Sequence, residues 1–563
     1  MTTTTLGSRL AGGGAQPLAR PASLARIVSV TGSQAVAVLE PPTRGQTSGL
    51  EARIHVGSLI RISTPGATVI GSVTGMSVPT ASMGESTGEL RLVELDLVGE
   101  VLRSADGAGR RFKRGISNLP SLGDTLTLAN PDELGLVYAP GDRSSIAIGH
   151  LAQNERIPAR VVVDDLLGKH FAVVGTTGSG KSCAVTCILQ QLLVEHTHAH
   201  ILVLDMHNEY STAFGERAEC INPGNLYLPF WLMSLEEIVE VLVHVSEYRD
   251  AEIAILYEAI IFAKRRYSDG GSLRSAGSVR KSADGQTVVG LDTPTPFRLA
   301  DLIAYIDEQL GRLERTQNSI PLRRLKGRIE LLTMDPRYAF MFGGITVQDD
   351  MSEVLGRLFR VPANGKPITV LDLSAVPSEI LNVVISVICR MTFDIGVWSQ
   401  GQLPITLVCE EAHRYAPHQS LDAFQSTRRE LAKIAKEGRK YGISLGLVSQ
   451  RPSEIDPTIL SQCNTMFAMR LTTEADQKVC FAAASDGAMN LLELLPSLGD
   501  SEAVLIGQGV PLPMRIRFLQ LDEARMPRSQ SARFSSVWRR ETMSVEGLER
   551  IVERWRLNKR EPA

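Results

Sequence analysis

The stretch "HFAVVGTTGSGKSCAV", His170 to Val185, decides the fold. A short apolar run enters a glycine-rich turn, and a run with helical periodicity leaves it. Between them stand Gly175, Thr176, Thr177, Gly178, Ser179, Gly180, Lys181, Ser182 and Cys183. The spacing G-x-x-x-x-G-K-S in a strand–turn–helix context is that of a phosphate-binding loop. Its glycines let successive backbone N–H groups curl around a β-phosphate, and the helix N-terminus adds its dipole. Lys181 is placed to neutralise the β- and γ-phosphates, and the Ser182 hydroxyl to ligate Mg²⁺. These residues, Cys183 included, are the expected nucleotide contacts, with ATP and Mg²⁺ the expected cofactors.

Around this loop, apolar strands alternate with helical segments: "HILVLDMH", "ITVLDLS", "ITLVCEEAH", "ISLGLVSQ" and "TMFAMRLT". Strands apolar on both faces imply a parallel sheet covered on both sides. Between about 235 and 342 the strands give way to helical periodicity, so a helical insertion is expected there. Upstream, from Ala25, short β-type runs such as "RIVSVTGSQAVAVLE" and "ELRLVELDLVGEVL" are punctuated by Gly, Pro and Ser, as in a small antiparallel barrel or sandwich. The fold class expected is therefore α/β, a RecA-like P-loop core preceded by a small all-β barrel. The expected division is a disordered tail at 1–22, the barrel at 23–150, the ATPase domain at 151–520 and a helical extension at 521–563.

Bulk properties exclude several classes. The 563 residues exceed one core, and 43% hydrophobic with 21% charged residues is ordinary for a globular chain. A net charge of -3 confines any nucleic-acid surface to a patch or pore. The seven cysteines show no metal-ligand spacing and read as buried thiols of a reducing compartment. No secretory signal and no apolar run of bilayer length are read, so the expected location is cytoplasmic, without membrane association.

Three strands end in acids. Asp372 has no second acid beside it and reads as a cap. Asp205 opens "DMHNEY", where His207 or Glu209 could reach the loop, in a secondary role. Only Glu410 and Glu411 stand adjacent, at the end of "ITLVCEE". Adjacent side chains in a strand point to opposite sides, so the pair must sit where the strand ends. Glu410 then faces the magnesium and Glu411 the γ-phosphate. Gln450, at the end of "ISLGLVSQ", is placed to sense the γ-phosphate. Arg439 sits at a turn from which its guanidinium projects, to a surface ion pair or to a phosphoryl group.

In this order, "GTTGSGKS", "VLDMHNEY", "CEEAHRYAP", "KEGRKYG" and "SQRPSEIDPTILSQCNT" closely resemble the HerA-type ATPases of the HerA–FtsK group, and the β-rich start resembles their HAS barrel. The resemblance implies a homo-hexameric ring with ATP sites between subunits and double-stranded DNA in the central channel. It implies catalytic roles for Lys181, Glu411, Gln450 as sensor and Arg439 as finger in trans, with Lys440 the fallback finger, and Ser182 and Glu410 on the metal. It further implies a nuclease or NADase-type effector as partner, in DNA end processing or anti-phage defence. A ring scaffold that activates an effector when ATP binds is the alternative. One departure stands out: the family usually has Asp-Glu where this chain has Glu410-Glu411. Three basic clusters, Lys264–Lys281, Arg323–Arg328 and "STRRELAKIAKEGRK", are candidates for contacting DNA phosphates.

Overall fold

The computed structural model describes residues 24–39, 54–64, 67–78, 91–103, 110–269, 290–313, 319–343, 347–418, 424–484, 486–528, 534–539 and 544–556. The expected tail at 1–22 and the loop carrying Arg274, Arg280 and Lys281 lie outside them. The chain forms two compact units, Met1–Val137 and Tyr138–Ala563.

The first unit is built on strands β1 (Ala25–Thr31), β2 (Gln34–Leu39), β3 (Leu59–Ser63), β4 (Thr68–Ser77), β5 (Leu92–Arg103), β6 (Arg110–Arg114) and β7 (Thr125–Leu128). They pair antiparallel in the order β2-β1-β7-β3-β4-β5-β6, and a further β2–β5 pairing closes six of them into a barrel. Closure removes free edges. Alternate residues point inward, so Ile27, Ala35, Ala37, Ile60, Ile62, Val69, Val93 and Leu95 fill the interior. Two register shifts in β4, at Ile70/Gly71 and Val73/Gly75, bend it around this core.

The second unit holds β8 (Ser145–Leu151), β9 (Asn154–Val162), β10 (Phe171–Val174), β11 (Ile201–Asp205), β12 (Ala218–Ile221), β13 (Ile368–Asp372), β14 (Ile405–Cys409), β15 (Ile443–Ser449), β16 (Thr465–Ala468), β17 (Glu502–Gly507) and β18 (Met514–Phe518). Their order is β12-β13-β11-β14-β15-β10-β16-β17-β18-β8-β9, parallel from β12 to β16 and antiparallel beyond. The six strands read from sequence are all in the parallel part. The antiparallel wing was not foreseen, and β8 belongs to it. A boundary at 150 would therefore cut β8 in two, and the units part between Val137 and Tyr138 instead.

Register fixes the working edge. Val174 pairs with Ser449, Cys409 with Leu447, and Asp205 with Asp372, so the carboxyl ends of these strands lie along one rim. In open α/β sheets, ligands bind in the crevice outside such carboxyl ends. Helices Leu235–Leu242, Arg249–Asp269, Leu299–Leu313, Ile320–Met334 and Met351–Phe359 form the insertion between β12 and β13. Glu237 ties it down, bonding Arg390 at 2.8 Å and Ser386 at 3.0 Å on helix Ser378–Trp398.

That last helix corrects one expectation. Its hydropathy and 21-residue length suffice to cross a bilayer, but 72% of the apolar window is buried in the protein. It is the central helix of the core, and burial against the sheet explains its composition. At the other end of the chain, the helix Val545–Arg556 leaves Leu548 and Trp555 exposed.

Candidate functional site

The loop after β10 is closed by backbone geometry that only glycine tolerates. Gly178 and Gly180 have φ of 79° and 97°. A Cβ on Gly175 would lie 2.7 Å from Ser179 Oγ and 2.8 Å from Met469 Cβ. Neighbouring strands hold the loop in place: Gly175 N–H donates to Ser449 O at 3.2 Å and Thr176 N–H to Arg470 O at 2.8 Å. Ser501 N–H donates to Ser179 O at 3.2 Å. Lys181 opens the helix Lys181–Glu195 and turns back, its Nζ donating to Thr176 O at 3.1 Å. Such a cradle fits the phosphates of a nucleotide. Cys183 is the third residue of the helix, half-buried, its thiol pushed up in pKa by burial.

Three carboxylates, Glu411, Glu209 and Glu410, act on Lys181, and Asp205 stands behind Glu410. Asp205 is fully buried and accepts N–H bonds from His207 (3.2 Å), Glu209 (3.1 Å) and Tyr210 (2.9 Å). Glu410, also buried, accepts the Met206 N–H at 3.3 Å through Oε2 and shares a hydrogen bond with Asp205. Burial raises its pKa to about 10, with Asp205, Glu209 and Glu411 adding repulsion. Glu410 therefore holds a proton at neutral pH as long as no cation stands beside it. Glu209 accepts the Ser182 hydroxyl at 2.5 Å. Burial lowers the pKa of Lys181, and Glu411, Glu209 and Glu410 oppose that shift.

Glu411 leaves strand geometry at φ 51°, in the left-handed region that non-glycine residues seldom enter. This is how adjacent acids come to serve one rim. Its Oε2 is buried and accepts no hydrogen bond. His413 Nδ1 lies 3.2 Å away and also 3.1 Å from Ser449 Oγ. Next to Ser449, Gln450 accepts the Thr177 hydroxyl through Oε1.

The structure thus brings Gly175 to Ser182, Glu410, Glu411 and Gln450 together. Arg439 and Lys440 stand elsewhere, exposed in the turn Gly438–Tyr441 that precedes β15. Asp372, expected to cap a helix, instead closes a turn by accepting the Ser374 N–H at 2.9 Å, and Pro377 stands at the N-cap of the helix that follows. Sequence reasoning left Asp205 and Glu209 in a secondary role and missed His413, Ser449 and the Arg470 carbonyl. The i, i+4 placement of Asp205 and Glu209 after a strand end was the available signal for the first two.

Mg²⁺ fits this donor set. It prefers one or two carboxylates or hydroxyls plus phosphates and water over an all-protein cage. Among the described residues no group of three or more His, Cys, Asp or Glu side chains forms such a cage. Ser182, Glu209 and Glu410 are the side chains within reach, and an unpaired carboxylate oxygen on Glu411 awaits a partner.

Comparison with known proteins follows the same lines. Residues 146–392 match the family described as "Helicase HerA, central domain". The DNA double-strand break repair helicase HerA of Pyrococcus furiosus is 26% identical over 440 residues, 72% of this chain and 74% of that protein. The helicase of the same name from Sulfolobus acidocaldarius is 25% identical over 484 residues, covering 84% and 90%. Among solved structures, VirB4 of Thermoanaerobacter pseudethanolicus superposes with TM-score 0.46 at 15% identity, over 68% of this chain and 98% of that one.

Proposed function

From an ATP-hydrolysing domain that belongs to the HerA helicase family, we infer that this chain assembles into a homo-hexameric ring that drives double-stranded DNA through its channel. The observation that carries this reading is the separation of Arg439 from the nucleotide loop. Arg439 precedes β15 and Gln450 follows it, so seven residues of extended strand, roughly 23 Å, lie between them. An arginine side chain cannot span that length within one chain. A neighbouring subunit docking the Arg439 edge against the rim would complete the site, as a finger supplied in trans does.

In this reading each residue has one task. The backbone of Gly175–Gly180 and Lys181 hold the phosphates. Ser182, oriented by Glu209, and Glu410 would hold a magnesium ion, which would supply neutralisation of the phosphate charge. Glu411, with its bare Oε2, orients and polarises the attacking water. Gln450 reports on the γ-phosphate through Thr177. The extra methylene of Glu410, compared with the usual Asp, lets it reach Asp205 across the rim.

The DNA surface is narrower than the basic clusters suggested. Lys264 is buried and donates to Leu291 O and Thr293 O, and Arg266 pairs with Asp301 at 3.2 Å. Arg324 and Lys326 pair with Glu252 and Asp307. Lys436 projects outward, beside the Arg439 edge that is assigned to the subunit interface. A nuclease or NADase-type effector, in end processing or anti-phage defence, is the partner that the family reading supplies.

ATPase rate with and without duplex DNA, beside a Glu411→Gln variant, tests this function. Stimulation by duplex is expected, and Glu411→Gln should keep nucleotide affinity while turnover falls about 100-fold or more. A rate indifferent to duplex would leave an ATP-switched scaffold as the better description. Normal turnover in Glu411→Gln would remove this acid from the chemistry.

A further inference from the structure

One ring nitrogen joins the catalytic acid to the sensor strand. His413 Nδ1 lies 3.1 Å from Ser449 Oγ and 3.2 Å from Glu411 Oε2. Ser449 ends β15 and is followed directly by Gln450, which is bonded to Thr177 of the phosphate loop. The Ser449 hydroxyl already accepts the Arg451 N–H at 3.0 Å, which leaves its own proton free to give to Nδ1. Burial lowers the His413 pKa, so the ring carries a single N–H to allot. Two arrangements are then exclusive. With Ser449 donating to Nδ1, Glu411 Oε2 is bare and keeps its basicity for a water. With Nδ1–H donating to Glu411, that lone pair is taken and the acid is held. In the structure Nδ1 is bonded to Ser449 Oγ and the buried Glu411 Oε2 accepts no hydrogen bond, a geometry that matches the first arrangement.

We propose that His413 is a positioning residue for Glu411, and that Ser449 competes with the carboxylate for its Nδ1. The state of the sensor strand thereby decides whether the acid is held or released. Movement of Gln450 as it meets or loses a γ-phosphate shifts Ser449, one residue away, and with it the hydrogen bond at Nδ1. This rests on Glu411 being the acid that polarises water, and it adds the device that times its action.

The test uses the full-length protein with His413→Ala, His413→Asn, Ser449→Ala and the Ser449→Ala/His413→Ala double variant. A fluorescent ATP analogue reports nucleotide affinity, and steady-state hydrolysis gives kcat and KM. Expected are nucleotide affinities within about twofold of the parent, kcat lowered about tenfold in Ser449→Ala, and kcat near the parent's in His413→Ala, where nothing holds Glu411. Without its competitor Nδ1 stays on Glu411, so Ser449→Ala slows the reaction only while His413 is present. In the double variant the serine substitution should add nothing. His413→Asn, whose amide N–H can still donate to Glu411, should be slower than His413→Ala. The proposal is overturned if Ser449→Ala keeps its kcat, if the double variant is as slow as Ser449→Ala, or if nucleotide affinity falls in step with kcat. A Glu411→Gln variant with normal turnover would instead sink the underlying assignment, so the two failures are distinct.

Discussion

Lys264 shows how a residue's environment overrides its type. By sequence it heads a basic cluster. In the fold its ammonium is buried in the helix Arg249–Asp269, donating to Leu291 O at 2.6 Å and Thr293 O at 2.7 Å. Burial lowers its pKa from 10.5 to about 8, with Asp292 opposing. The sign of the linkage follows. Between about 8 and 10.5 the unfolded chain keeps a proton that the folded chain has released, so stability rises with pH across that window. The shift corresponds to about 3 kcal/mol at most. A Lys264→Met variant loses the titration and, at every pH, the two donors. Denaturant unfolding of both proteins at pH 7.5 and pH 10 should therefore show the parent's advantage widening with pH. A constant gap would mean that the amine titrates as in water.

At the scale of elements, what was legible depended on whether the pattern was local. The loop around Lys181 and six of the seven parallel strands announce themselves through apolar runs and glycine spacing and are where expected, whereas β12 was missed. β8, β9, β17 and β18 pair antiparallel across the ends of the domain, β8 with β18 from more than 350 residues away. No local pattern encodes such a partner, which is why the boundary was set inside β8. The acids followed the same rule: Glu410 and Glu411 are adjacent in sequence, whereas the His413–Ser449 contact crosses two strands. Gly446 is a further case. It is an apolar-strand glycine without obvious purpose until its register partner is seen to be Phe171, whose ring covers it. A Cβ there would sit 2.4 Å from Phe171 Cζ, and that ring is already packed edge-on against Phe467 at 6.3 Å. Gly446→Ala should cost about 1–3 kcal/mol through overpacking and appear as a lower melting temperature. An unchanged melting temperature would show that the β10–β15 contact yields easily, contrary to a close-packed core.

For the whole molecule, the decisive question is whether one subunit completes another's site. Arg439 and Glu411 lie at opposite ends of adjacent parallel strands, so in the proposed ring they act in different sites of the same subunit. Two inactive proteins can then repair each other. An Arg439→Ala subunit still has Glu411, and a Glu411→Gln subunit still has Arg439. Wherever the first offers its rim to the second's Arg439 edge, a complete site forms. In rings assembled at random from equal amounts, about one interface in four has that arrangement, since each position is filled independently. Hydrolysis in the mixture should therefore rise well above that of either variant alone, provided the subunits are exchanged by co-refolding or co-expression. Coupling between sites around the ring could hold the gain below a quarter of the parent rate, but not at zero. A mixture as inactive as its components, with mixed rings verified by differential tagging, would mean that the finger acts within its own chain or that another cation fills the position. Lys440→Ala paired with Glu411→Gln in the same format separates those two outcomes, because complementation would follow whichever cation crosses the interface.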